Sequence, residues 1–115
     1  MILVVDDDAR IRRATAGALS ALGHEVVSAS GGAEALGLCA DRPEISLVVT
    51  DVLMPGMRGP ELVSKARALR PDLRFIYISG DIGDTPPDAF GGWPLLPKPF
   101  TAASLSEVVG QALAG

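Results

Sequence analysis

Three aspartates, a serine and a lysine stand at the ends of apolar runs in this 115-residue chain, and together they could handle a phosphoryl group. Asp6 and Asp7 follow Ile-Leu-Val-Val at residues 2–5, and Asp51 follows the mostly apolar run 45–50. Ser79 ends the run 74–79, and Lys98 comes just after Leu95-Leu96-Pro97. Carboxylates gathered in one place repel each other unless a cation is present. An all-oxygen set suits a hard ion, and Mg2+ typically takes one or two carboxylates plus waters and phosphate oxygens. A lysine is a mobile point charge able to hold a phosphoryl oxygen, and a serine hydroxyl can donate one hydrogen bond to the same group. A carboxylate can itself attack phosphorus to give an aspartyl phosphate, a reaction that needs little beyond alignment and charge neutralisation.

These groups act together only if the chain brings them together, and its periodicity says how. Residues 2–5, 25–29, 45–50, 74–79 and 95–96 are short apolar or β-branched runs, the pattern of strands in a covered sheet. Between them the period changes. Ile11, Ala14, Thr15, Ala18, Leu19 and Leu22 recur at helical spacing, with Arg10, Arg12 and Arg13 mostly on the other side. Asp8 suits the N-cap of that helix and Gly23 its end. Ser30-Gly31-Gly32 reads as a turn before a short helix over 33–40. Pro60 and Glu61 suit the first turn of the next helix, which packs Leu62, Val63, Ala66 and Leu69 and stops before Pro71. Thr101 caps a last helix carrying Leu105, Val108, Val109 and Ala112. Residues 80–92 hold four glycines and two prolines, which leaves room for a short helix at best. Strands alternating with helices, without hairpin turns, predict an α/β fold: a doubly wound (βα)5 sandwich on a parallel sheet with right-handed crossovers. In such a sheet ligands bind beyond the carboxyl ends of the strands, where the five polar residues fall.

The sequence resembles a two-component response-regulator receiver domain over essentially its whole length, residues 1–115. The matching segments are Val4-Val5-Asp6-Asp7, then Asp51-Val52-Leu53-Met54-Pro55-Gly56-Met57-Arg58-Gly59, then Ile78-Ser79-Gly80, then Lys98-Pro99-Phe100. All four occur in order, each at a strand end. The resemblance implies a flavodoxin-like sheet of order 2-1-3-4-5. It implies that Asp51 is the phosphoacceptor, that Asp7 ligates Mg2+ directly and Asp6 largely through water, and that the main-chain carbonyl of Leu53 is the third protein ligand. Ser79 matches the hydroxyl position that moves toward the phosphoryl group, and Lys98 the phosphate-binding lysine. Pro99 matches a proline whose preceding bond is cis, which aims the lysine into the pocket. The implied donor is the phosphohistidine of a histidine kinase or a phosphotransfer protein, and the implied output is a changed partner-binding surface, not catalytic turnover.

Two features depart from the family pattern. The aromatic-switch position, three residues before the lysine, is Leu95, which has no ring to swing inward. Only eighteen residues separate Ser79 from Lys98, so the fourth helix is expected to be truncated or mobile, with disorder over 82–92. Leu53 and Asp81, each two residues beyond a site residue, flank the phosphoryl position and should tune its hydrolysis.

Composition narrows the alternatives. A chain of this length is one domain, and 48% hydrophobic residues can bury a core without disulfides. Fourteen acids against ten bases exclude a basic nucleic-acid surface. No apolar run is long enough to span a membrane and no signal peptide opens the chain, so a soluble cytoplasmic domain without membrane contact is expected. A lone Cys39 reads as a packing residue, His24 as a surface residue, Asp8 as a cap, and Trp93 and Met57 as exposed-loop positions. A phosphatase of the haloacid-dehalogenase type wants a second aspartate where Leu53 stands, and a flavin site wants hydroxyls where the chain has Asp6 to Asp8. A degenerate receiver that only docks would have lost the acids or the lysine. The runs Phe75 to Gly80 and Leu96 to Phe100 are similar to receivers attached to hybrid sensor histidine kinases.

Overall fold

Short runs that bury both of their faces become strands, and the segments of helical period between them become crossovers. The computed structural model describes residues 1–114. In chain order the elements are β1 (Ile2–Val5), α1 (Ala9–Ala21), β2 (Val26–Ala29), α2 (Gly32–Asp41), β3 (Leu47–Asp51), α3 (Gly59–Leu69), β4 (Arg74–Ser79), a 3-10 turn (Pro87–Phe90), β5 (Leu95–Pro97) and α4 (Ala102–Ala114). The strands form one parallel sheet in the order β2-β1-β3-β4-β5, as expected for a flavodoxin-like fold.

Side chains alternate across this sheet and divide the core in two. Leu3, Val5, Val48, Phe75 and Tyr77 pack with Leu62, Val63 and Ala66 of α3 and with Ala35 and Cys39 of α2. Their sequence neighbours Ile2, Val4, Leu47, Val49, Ile76 and Ile78 pack with Leu19 of α1 and Leu105 and Val109 of α4. β1, β3 and β4 are therefore apolar on both faces, which is why their sequences show continuous runs and no alternation, while the edge strands β2 and β5 are only partly covered. The register pairs Val5 with Thr50, Thr50 with Tyr77, and Tyr77 with Leu95, so the carboxyl ends of the four strands share one edge of the sheet.

Helix ends follow local chemistry. Asp8 Oδ1 accepts from the N–H groups of Arg10 and Ile11 at 2.9 and 3.3 Å, and these bonds hold its carboxyl below the usual carboxylate range. Gly23, at φ +94°, turns the chain out of α1. Thr101 Oγ1 accepts from Ser104 N–H, and Ser104 Oγ accepts from Thr101 N–H, both at 3.0 Å, closing a reciprocal cap on α4. α2 begins at Gly32, inside the expected turn, with Glu34 accepting from Ser30 N–H at 2.7 Å.

The fourth crossover holds no α-helix. Gly83, Gly91 and Gly92 take positive φ, and Pro86-Pro87 lacks the N–H groups a helix needs, so a single 3-10 turn is all that forms. Aromatic rings cover the sheet there instead. Phe90 lies edge-on to Tyr77, with centroids 4.9 Å apart, and Trp93 edge-on to Phe75 at 5.3 Å. The Arg67 guanidinium of α3 stands 5.7 Å over the Trp93 ring. Trp93, expected in an exposed loop, is thus half-buried against the core, because the missing helix leaves apolar surface to cover; Met57, expected in an exposed loop as well, is half-buried against Gly32 at the start of α2. Leu69, expected to pack, is 54% exposed at the last turn of α3. Among the described residues no helix is long and apolar enough to cross a membrane.

The loop after β3 returns so closely that Gly59 N–H bonds to Val52 O at 2.8 Å, and a Cβ at Gly59 would collide with the Asp51 carbonyl. Gly59→Ala should cost about 1–3 kcal/mol, the usual range for overpacking. Urea denaturation measures it, and an unchanged midpoint would contradict the packing. Backbone amides over 82–92, tied only by isolated turn bonds, should exchange hydrogen far faster than those of β4. Protection equal to that of β4 would show the segment to be as firmly folded as the sheet.

Candidate functional site

β1 and β3 are neighbours, so the acids just beyond β1 meet the acid that ends β3. One carboxylate oxygen from each of Asp6, Asp7 and Asp51 lies within 4.8 Å of the others. Asp6 is 4% exposed and Asp51 half-buried, whereas Asp7 is open to solvent. Lys98, just past β5, reaches across and places Nζ 3.1 Å from Asp6 Oδ2 and 3.3 Å from Asp51 Oδ2. The Lys98–Pro99 peptide is cis.

Asp51 and Asp6 are also held from behind. Asp51 Oδ1 accepts from Val52 N–H at 2.7 Å, leaving Oδ2 to Lys98. Asp6 Oδ1 accepts from Asp8 N–H at 2.9 Å. Arg12 of α1 donates from Nη1 to the Asp6 carbonyl at 2.8 Å. Burial pushes the Asp51 carboxyl above its ordinary value; Lys98 pulls it down, but Asp6 beside it pushes the same way as burial, and the net shift is upward. Burial would lower the Lys98 ammonium, yet its hydrogen bonds and charge attraction to Asp6 and Asp51 outweigh this and raise it. Burial is the larger cause of the upward shift at Asp51, and the attraction of Lys98 at 3.3 Å offsets it only in part.

Of the residues singled out in the sequence, Asp6, Asp7, Asp51 and Lys98 come together. Ser79 sits at the end of β4, next to β3, but its hydroxyl donates to the Asp81 carbonyl and accepts from Asp81 N–H at 3.2 Å, so it is engaged with its own loop. Leu53 packs its side chain near Gly83, where a Cβ would lie 3.5 Å from Leu53 Cδ1. Leu95 is 39% exposed, beside Tyr77 in the register, with no helix above it. Arg12 was not foreseen: helical spacing alone places it with Arg10 and Arg13 on the outer face. Its one readable signal is that it starts the next turn after the Asp8 cap. The ion pair of Arg58 with Asp84, at 2.9 Å, likewise joins two loops whose meeting no local pattern announces.

The oxygen donor set fits a small divalent cation. Three carboxylates of net charge −3 face a single ammonium, all donors are hard, and the exposed Asp7 leaves a side open to water and phosphate. An apolar groove of about 520 Å3 between α1 and residues 98–102 adjoins the pocket through Lys98 but lies beside the acids, not over them.

Comparison with known proteins agrees with this geometry. The sequence pattern of the response regulator receiver domain matches residues 2–110. The chain is 37% identical to part of "Sensor kinase CckA" of Brucella abortus, over 97% of this chain and 12% of that protein. The fold superposes on a signal receiver domain of an HD domain-containing protein from Pseudomonas fluorescens Pf-5 with a TM-score of 0.90, at 28% identity, covering 98% of this chain and 93% of that one. It superposes on the receiver domain of the hybrid histidine kinase CckA with a TM-score of 0.82, at 36% identity, covering 97% of each. The chain therefore spans about an eighth of the curated sensor kinase it matches, and 97% of the solved receiver domain of a hybrid histidine kinase CckA. By this pattern, by its sheet order and by its acidic pocket, the chain belongs to the response regulator receiver domain family: it is a regulatory phosphoacceptor of two-component phosphorelays and not a catalytic enzyme.

Proposed function

We propose that the chain is a single, phosphorylation-competent receiver over residues 1–115, with Asp51 as acceptor and Mg2+ as its cation. The observation that carries this reading is the meeting of Asp6, Asp7 and Asp51 within 4.8 Å, with Lys98 bridging two of them. Receiver domains accept phosphoryl groups from histidine kinases, so the donor here is a phosphohistidine on a kinase or phosphotransfer protein. A carboxylate oxygen of Asp51 forms the new bond to phosphorus as the phosphorus–nitrogen bond breaks, and the electron pair leaves with the imidazole. Asp6, Asp7, Asp51 and the Leu53 carbonyl would hold the cation, which would supply positive charge against the phosphoryl oxygens. Lys98 is already placed between Asp6 and Asp51 and can turn its ammonium to a phosphoryl oxygen at little cost. Val52 N–H keeps Asp51 Oδ1 occupied and leaves Oδ2, the oxygen that meets Lys98, to attack phosphorus once Lys98 turns to the phosphoryl group.

The added phosphate brings about −1.5 to −2 charge. Ser79 answers by exchanging its bond to the Asp81 carbonyl for one to the phosphoryl group, and the loop over 80–92 follows. Because Leu95 replaces a ring, the output surface changes through that loop and not through an aromatic swing. The similarity to the CckA receiver supports a place within a hybrid sensor kinase in the cytoplasm; the downstream partner reads a changed surface, with no direct nucleic-acid or membrane contact by this domain.

Incubation with acetyl phosphate and Mg2+ should add one phosphoryl mass to the wild-type chain and none to Asp51→Asn, read by intact mass. No adduct on the wild type, or an equal adduct on the variant, would overturn the reading. The electrostatics give a second check. A carboxyl whose pKa is raised in the folded state ionises at a cost, so stability is lost as pH rises through its ordinary value toward the folded one. At neutral pH without metal, Asp51→Asn should therefore melt a few degrees higher than wild type. The gap should shrink below the ordinary carboxylate range, where both side chains are neutral, and again in millimolar Mg2+, which stabilises the wild type more. A lower Tm for the metal-free variant would show Asp51 to be a net stabilising charge instead.

A further inference from the structure

The turn that carries the two acids of β1 is fastened by a residue outside the acidic cluster. Asp6 is the first residue past β1, and its N–H donates to Ala29 O of β2 at 3.2 Å. β2 ends at Ala29 and α2 begins at Gly32, so the ladder stops there, and the Asp6 carbonyl is met by Arg12 Nη1 at 2.8 Å. Arg12 is itself anchored, since its N–H bonds to Asp8 O at 2.9 Å in the first turn of α1. Residues 6–12 are thus closed on themselves: Asp8 caps the helix and donates to Asp6 Oδ1, and Arg12 returns from the helix to the Asp6 main chain.

Of the three donors to Asp6, two touch its carboxylate, the Asp8 N–H and Lys98. Lys98 must loosen whenever a cation or a phosphoryl group claims the same oxygens. Arg12 binds the carbonyl, which no ligand needs, so its hold persists through occupancy of the pocket. A guanidinium is suited to this, being permanently charged and a rigid hydrogen-bond donor. We infer that Arg12 is a positioning residue of the cation site: by clamping the Asp6 carbonyl it fixes the Asp6-Asp7 turn in the geometry that presents both carboxylates toward Asp51.

The inference rests on the proposed Mg2+ reading, and its sign separates it from a bulk charge effect. A positive group near a cation site weakens cation binding by repulsion, so if Arg12 acted only through charge its removal would tighten Mg2+. If it acts by holding the turn, removal weakens Mg2+, on the scale of about tenfold seen when outer-shell partners of metal ligands are lost.

Calorimetric titration of the purified chain with Mg2+ decides between them. Arg12→Met should bind about tenfold more weakly. Arg12→Lys, which keeps the charge and one donor and guards against loss of the fold, should fall between wild type and Arg12→Met. Arg13→Met, which removes an exposed charge from the same helix, should bind as wild type or tighter. Unchanged or tighter binding in every folded Arg12 variant overturns the inference, as does a lowered Tm with Mg2+ affinity intact, which would assign Arg12 to the fold alone. A wild-type chain that takes up no Mg2+ overturns the metal reading and this inference with it.

Discussion

Repulsion among three carboxylates at two adjacent strand ends is the constraint that the rest of the structure answers. Asp6, Asp7 and Asp51 are forced together by the parallel pairing of β1 with β3, a pairing that the apolar runs on both faces make obligatory. Three donors are turned toward that charge. Val52 N–H takes one oxygen of Asp51, Asp8 N–H one oxygen of Asp6, and Lys98 one oxygen of each. Buried charge without partners is costly, and one ammonium faces three carboxylates, of which Asp51 is already pushed up by burial. The pocket therefore favours added positive charge, whether a cation arriving alone or one arriving with a phosphoryl group.

How far this was readable in the sequence depends on the range of the interaction. The strand-end location of Asp6, Asp51, Ser79 and Lys98, the Asp8 and Thr101 caps and the short fourth crossover follow from local pattern, and the sheet order from the family resemblance. What escaped was decided by tertiary geometry. Arg12 has a side chain long enough to leave the outer face and find a strand-end carbonyl, and the hydrophobic period of a helix carries no information about that. Trp93 looked like a loop residue because glycines surround it; it packs because Phe75 lies bare beneath it. Leu69 has the right spacing to be buried, but the helix ends before its turn reaches the sheet.

Loss of the fourth helix changes how the edge of the sheet is covered. A helix would lay a continuous apolar face over Phe75, Tyr77 and Leu95. Here Phe90 and Trp93 do this as separate rings carried on a glycine- and proline-rich loop, with Arg67 stacked outside. The arrangement leaves Leu95 part-exposed and the Tyr77 hydroxyl buried without a hydrogen-bond partner among the described residues. With no ionic partner, burial alone pushes that phenol up to about 12, so it stays neutral at any working pH. The edge is thus held by ring packing and little else, and ring packing lets a loop shift without breaking a ladder of helical hydrogen bonds.

That bears on what a switch in this chain would have to overcome. The Ser79 hydroxyl is tied to Asp81 by two contacts within one loop, and each such bond is worth about 1 kcal/mol net when exchanged for another partner. The Arg58–Asp84 pair that joins this loop to the one after β3 is solvent-exposed, and exposed pairs contribute about 0–1 kcal/mol. No helix has to be displaced. The opposing resistance is therefore these replaceable contacts together with the packing of the Phe90 and Trp93 rings, while the drive on the other side is a new anion beside an ammonium in a part-buried pocket, where charge is felt most strongly. A low barrier would make exchange between loop conformations fast, while a phosphoryl group shifts their populations only by as much as its affinity for them differs. In such a chain the lost helix and the missing aromatic at position 95 are not defects of a switch: they are two elements that it does not have to move.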